Sequence, residues 1–138
     1  MSNIAQAIQH LFPASVPLRD WVVSNPGSGQ VLTFWSAALG PQPSPAQIDA
    51  AMLPATKAAR IEADRKECRR RLTAHYGDAL EQGSRIAGDY GEAARVNRST
   101  GVQATVDASN AARDTINLLA TDTVAKVEAV TVAWPVLT

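Results

Sequence analysis

Apolar residues recur at three- and four-residue intervals over most of the chain, and the interruptions in that rhythm mark the expected elements. Ile4, Ile8, Leu11 and Phe12 predict a helix over residues 2–12, capped by Ser2 or Asn3 and stopped by Pro13. Two β-prone runs follow, Asp20 to Ser24 and Gln30 to Trp35, separated by the turn-rich stretch Asn25-Pro26-Gly27-Ser28-Gly29. A β-hairpin is the simplest reading. Alternation places Trp21 and Val23 on one face, and Val31, Thr33 and Trp35 on one face of the second strand. A two-stranded hairpin is marginal alone, so its aromatics are expected to pack on the first helix or on a neighbouring chain.

Leu39-Gly40-Pro41-Gln42-Pro43-Ser44-Pro45 reads as a stiff connector, since each proline fixes its own φ and biases the residue before it. Ser44 as N-cap, Pro45 at the first helical position and Gln47 three residues on form a capping box that opens a helix through Ile48 and Met52. Pro54 is expected to kink or interrupt this helix, with Thr56 capping a continuation from Lys57 to about His75. Gly77 predicts a break. A stripe of Leu80, Gly83, Ala87 and Tyr90 then predicts a helix over 79–96, in which Gly83, Gly88 and Gly91 permit close approach of another helix. Asn97 to Gly101 reads as a loop. The last long segment, 102–130, carries Ile116, Leu119, Thr123, Val127 and Val130 at heptad-like spacing, interrupted upstream by Ser109 and Arg113. Residues 131–138 are expected to leave it as an extended tail.

The expected fold is therefore mainly α: a small N-terminal β-hairpin module, then a bundle or coiled-coil-like set of long helices. The expected division is an N-terminal module over 1–40, a Pro-rich connector over 41–45 and a helical region over 46–138. Composition qualifies this picture. Alanine supplies 25 of the 63 hydrophobic residues among the 138. Alanine favours helix but buries little area, so a large self-sufficient core is doubtful and burial against another subunit is expected.

Charge and chemistry narrow the function classes. With 13 basic and 13 acidic residues the chain is formally neutral, which makes nucleic acid an unlikely main partner. No run approaches the ~18 to 20 apolar residues of a membrane span, and no basic leader opens the sequence. The single cysteine excludes an intrachain disulfide and fits synthesis in a reducing cytoplasm. His10 and His75 have no neighbouring ligand pattern, so no metal site is expected. Cys68, in register with Ile61 and Leu72, reads as a small buried hydrophobe rather than a nucleophile. Gly83 to Gly88 has phosphate-loop glycine spacing, but Asp89 and Tyr90 stand where Lys and Ser/Thr are required. Asn97-Arg98-Ser99 matches a glycosylation acceptor only formally. Between Lys57 and Arg71 seven basic residues face three acids, a local net of +4. Glu62 with Lys66, and Glu67 with Arg70 and Arg71, have the spacing of an ordinary solvated helix face. Neither an enzyme nor a cofactor is indicated.

One arrangement carries a resemblance. Ile8 to Phe12-Pro13, then Pro17-Leu18-Arg19-Asp20-Trp21-Val22-Val23, a Gly-containing turn, Phe34-Trp35 and Leu39-Gly40-Pro41-Gln42-Pro43-Ser44 resembles the N-terminal module of tailed-bacteriophage tail proteins of the XkdW type. There a small hairpin ends in Trp before a Gly-Pro-Gln-Pro-Thr-like segment that opens a helix; Ser44 stands here where Thr is common. Trp134-Pro135 after a helix is similar to phage tail and fibre-region proteins. The resemblance covers residues 4–53. It implies a structural component of the virion, at the tail tip, baseplate or fibre-attachment region, made in the host bacterial cytoplasm. It also allows a tail-fibre assembly chaperone that leaves before maturation. The expected partners are other phage structural proteins and further copies of the chain. Trp21, Phe34 and Trp35 are the candidate anchors of the hairpin module against a neighbour. Ile116, Leu119, Val127 and Val130 are the candidate helix–helix seam, within or between subunits.

Overall fold

The computed structural model of the protein describes residues 3–119 and 124–138. The order is α1 (Ile4–Leu11), β1 (Trp21–Ser24), β2 (Val31–Trp35), a 3-10 turn (Ala37–Leu39), α2 (Pro45–Tyr76), α3 (Ala79–Ala87), α4 (Glu92–Leu118) and α5 (Val124–Glu128). The fold is mainly α, with one two-stranded antiparallel hairpin followed by long helices. The chain forms two compact units, Met1–Arg60 with Leu119–Ala129, and Ile61–Leu118 with Val130–Thr138. The connector 41–45 lies inside the first unit, whose boundary falls within α2.

In the first unit, α1 starts where Asn3 accepts a hydrogen bond from the Gln6 amide at 3.1 Å. Its next free N–H, that of Ala5, is bonded by Gln30 Oε1 at 3.4 Å, which ties the hairpin to the helix start. Ala7, Ile48 and Ala51 form the core between α1 and the first turns of α2, flanked by Ile4 and Met52. The capping box is formed in both directions: Ser44 Oγ accepts from the Gln47 amide at 3.2 Å, and Gln47 Oε1 accepts from the Ser44 amide at 2.8 Å. Caps of this type are worth about 1 kcal/mol.

Pro54 does not interrupt α2, and Thr56 caps nothing: it is buried inside the continuous helix. A proline in a helix interior costs roughly 3 kcal/mol. Ala51, Ala55 and Thr56 around it are buried, so the helix continues through the proline as part of the packed first unit. The hairpin also departs from simple alternation. Trp21 pairs with Trp35 and Val22 with Phe34, but Val23 pairs with Leu32, so Thr33 is the extra residue of a bulge. The bulge breaks the expected Val31–Thr33–Trp35 face, leaving Leu32 and Trp35 half-buried and Val31, Thr33 and Phe34 exposed.

In the second unit the helix expected over 79–96 is two helices. Asp78 caps α3 by accepting from the Glu81 amide at 3.0 Å. Gly88 closes it at φ 88°, while the Asp89 amide returns to the Ser84 carbonyl at 3.0 Å. The expected loop at 97–101 is interior α4. The polar run Asn97 to Thr100 stays helical because tertiary contacts override its weak propensity. Arg98 Nη2 donates to Gln82 Oε1 of α3 at 2.8 Å, and Gly101 sits against the Tyr76 hydroxyl. The buried stripe of α4 is Thr105, Ser109, Ala112 and Ile116, so Ser109 belongs to the packed face that it was expected to interrupt. Thr105 Oγ1 donates to the Gly101 carbonyl at 2.7 Å, which satisfies its buried hydroxyl. α4 ends at Leu118, so the seam does not run on one helix from 102 to 130; Thr123 lies outside the described residues. Residues 130–138 have no regular secondary structure and turn tightly where the Trp134 amide donates to the Val132 carbonyl at 3.0 Å, with the Trp134 ring beneath the Arg71 guanidinium at 5.0 Å.

Candidate functional site

The first unit holds the features that fit an interaction surface. Between the end of α1, the Pro-rich connector and α2 lies a cavity of about 790 Å³, walled chiefly by Leu11, Phe12, Leu39, Pro41, Pro43 and Pro54. Three prolines stiffen its wall through their fixed φ. Pro54 also lacks the N–H that a helix would direct at the Ala50 carbonyl, and Ala50 lines the same cavity.

A chain of bonds secures the hairpin beside it. Trp21 Nε1 donates to Ser15 Oγ at 2.9 Å, and Ser15 Oγ donates to the Phe12 carbonyl at 2.6 Å. Gln9 Nε2 reaches the carbonyls of Pro13 and Ser15 at 3.1 and 3.2 Å, which holds this loop to α1. Phe12 meets Trp35 edge-on, with ring centroids 4.9 Å apart, and Trp35 Nε1 donates to the Gly40 carbonyl at 2.9 Å. The hairpin aromatics are thus largely used inside their own unit.

Asp20 fixes the entry to β1. Its carboxylate accepts from the Val16 amide at 2.8 Å and from Arg19 through two bonds of 2.7 and 2.8 Å. The Arg19 guanidinium, followed by the Val16 N–H, holds this carboxyl down at about 2 against an ordinary 3.8. The folded value is depressed, so its stabilising contribution is complete above about pH 4 and is lost as the pH falls towards 2. We expect the 16–20 turn to loosen over that interval. Tryptophan fluorescence followed against pH checks this: the transition is expected in the natural chain and absent in Asp20→Asn. The same turn holds Leu18 at φ 66° with its side chain 81% exposed. A non-glycine residue in that region costs on the order of 1 kcal/mol, and hydropathy patterning gave no sign of it.

The structure separates the expected anchors. Trp21 is 4% exposed and Trp35 half-buried, whereas Phe34 is 50% exposed. Ile116 and Val127 are fully buried, and Leu119 and Val130 half-buried. Ile116 and Val130 belong to the second unit, Leu119 and Val127 to the first. In the first unit Arg60 Nη1 also donates to the Glu128 carbonyl at the end of α5, 3.2 Å away.

The basic stretch of α2 is internally paired at several points. Glu67 accepts from Arg70 at 2.6 and 2.8 Å and from Arg71 at 2.8 Å; the Arg70 guanidinium leads in holding its carboxyl down at about 2. Glu62 pairs with Arg69 at 3.4 Å. Cys68 is buried, and burial pushes its thiol up despite Arg69. Among the described residues no three His, Cys, Asp or Glu side chains gather to hold a metal, and no helix is long and apolar enough to cross a membrane.

Residues 4–60 match the model of the XkdW protein family. That family is phage-associated, and the match covers less than half of the chain. It ends at Arg60, the residue at which the first unit's N-terminal segment ends. The XkdW-like segment therefore coincides with a structural piece: α1, the hairpin, the connector and the first turns of α2. The returning segment Leu119–Ala129, with its buried Val127, completes the unit from outside the match. No curated protein and no solved structure matches the chain.

Proposed function

We propose that the protein is a structural component of a tailed-phage particle, at the tail tip, baseplate or fibre-attachment region, and that it works by packing against other phage structural proteins and copies of itself, without catalysis. The observation that carries this reading is the correspondence of the XkdW match with the N-terminal segment of the first unit. Phe34 and Val31 on the hairpin and the Pro-walled cavity beside it supply a surface for a neighbour. Quantitative mass spectrometry of purified virions tests it: the protein is expected at a fixed copy number alongside the tail proteins. Presence in infected cells and in fibre pull-downs, with absence from virions, would replace this reading with that of a tail-fibre assembly chaperone.

A further inference from the structure

The cavity between α1, the Pro-rich connector and α2 has a gap in the hydrogen-bond ladder of one wall. Helix geometry aims the Ala50 carbonyl at the backbone nitrogen of Pro54, which carries no hydrogen. Ala50 and Pro54 both line the cavity and both are exposed, so the missing rung of α2 opens onto it. While exposed, that acceptor is solvated. A group that fills the cavity shields it from water, and a buried acceptor left without a donor costs more than a made hydrogen bond returns. Leu11, Phe12, Leu39, Pro41 and Pro43 on the remaining wall are apolar and have no side-chain donor for an incoming acceptor. The occupant that fits is therefore a bulky apolar group that donates one hydrogen bond and brings no acceptor. Among side chains that is the indole of tryptophan, whose Nε1–H only donates.

We propose that the cavity is a socket for a tryptophan side chain of a partner protein, its indole N–H donating to the Ala50 carbonyl and its ring packed against the proline wall. Every residue of the socket belongs to the first unit. The volume, about 790 Å³, lies in the range of roughly 300–1,000 Å³ typical of sites that bury most of a ligand, so the socket takes the ring together with adjoining residues of the partner. Pro41, Pro43 and Pro54 hold their φ already in the free protein, and Phe12 is braced edge-on by Trp35 at 4.9 Å, so docking orders little that is not already ordered. A partner that offers leucine or phenylalanine at the same point fills the space but strands the carbonyl. Pro54 thereby acts as a selectivity element, by withholding the donor that would have satisfied Ala50 from within the helix. This inference rests on the reading above for the existence of a partner and names what one docking surface recognises. Its test is made on the isolated chain, so it stands or fails separately from the copy number in virions.

The test is a two-dimensional NMR titration of the full chain with indole, 1-methylindole and N-acetyltryptophanamide. Indole is expected to bind with a Kd on the order of millimolar, shifting the amides of Leu11, Leu39 and Ala50, and 1-methylindole to bind at least about fivefold more weakly because it cannot donate. Pro54→Ala returns an N–H to the helix, so the ratio between these two probes is expected to fall below about twofold while the helical circular dichroism is retained. N-acetyltryptophanamide, which carries the indole on a peptide unit, is expected to bind at least as tightly as indole. No shift up to about 10 mM indole, shifts confined to residues outside the cavity, or the same probe ratio in the natural chain and in Pro54→Ala overturns the proposal. Binding of indole with exclusion of N-acetyltryptophanamide overturns it as well, by showing a site for a free small molecule rather than for a protein side chain.

Discussion

Replacing Gly101 by alanine is expected to destabilise the second unit by about 2–3 kcal/mol, against the helix-propensity rule that credits Gly→Ala with up to about 1 kcal/mol. Gly101 lies inside α4, and an added Cβ would overlap the Tyr76 hydroxyl, come within 2.9 Å of Tyr76 Cζ and press on Leu137 at 3.2 Å. Tyr76 is 1% exposed, so its rigid ring has no solvent to retreat into. Its hydroxyl donates to the Asn97 carbonyl at 3.1 Å, with the Thr138 carbonyl 3.4 Å away as a second acceptor. Pushing the ring aside breaks these bonds as well as the packing. Urea unfolding followed by circular dichroism, at a concentration that keeps the chain monomeric, reads the effect. Gly83→Ala is the control: its Cβ enters open space and should stabilise α3 by up to about 1 kcal/mol. Tyr76→Phe removes the overlapping oxygen, so the cost of Gly101→Ala should fall by at least about 1 kcal/mol in that background. Equal costs in both backgrounds would mean that the hydroxyl is not the obstacle.

That glycine shows what could be read from the sequence and what could not. The first two helix starts and the stop at Gly77 were legible because their chemistry is local: Asn3, the Ser44–Gln47 box and Gly77 act within a few residues of themselves, whereas the Asp78 cap and the start of α4 at Glu92 were not read. The hairpin was legible from two β-prone runs around a Pro-Gly turn, but its bulge at Thr33 was not, because register depends on the pairing strand. Gly101 looked like part of a loop because its reason is Tyr76, 25 positions away in sequence. Close approach was expected at Gly83, Gly88 and Gly91. In the structure Gly88 and Gly91 serve turns, and Gly83 faces open space. The packed face of α4 escaped the pattern because Thr105 and Ser109 are buried there, the former with its hydroxyl turned back to the helix carbonyl. Hydropathy identified α3 as amphipathic, but not which side faces the protein. That depends on Arg98 finding Gln82 across two elements.

The hairpin aromatics show the same limit, and a pair of substitutions separates their roles. Trp21→Ala is expected to cost the first unit about 3–5 kcal/mol, a large share of the stability of a domain this size. Trp21 is 4% exposed, and its indole N–H is the donor that links β1 through Ser15 to the end of α1. Truncation removes a core aromatic and strands the Ser15 hydroxyl, itself 6% exposed, without its donor. Phe34→Ala on the opposite strand should change stability by no more than about 0.5 kcal/mol, because the ring is half in solvent already. If the hairpin is a docking surface, Phe34→Ala should weaken incorporation into particles while leaving the urea midpoint of the isolated chain in place. Trp21→Ala should lower that midpoint and lose incorporation only as a consequence of unfolding. The two variants then differ in the ratio of assembly defect to stability defect, and that ratio, measured on both, distinguishes an interface residue from a core residue. A Phe34→Ala chain that is stable and incorporated at the natural copy number would remove the hairpin from the docking surface and leave the Pro-walled cavity as its remaining part.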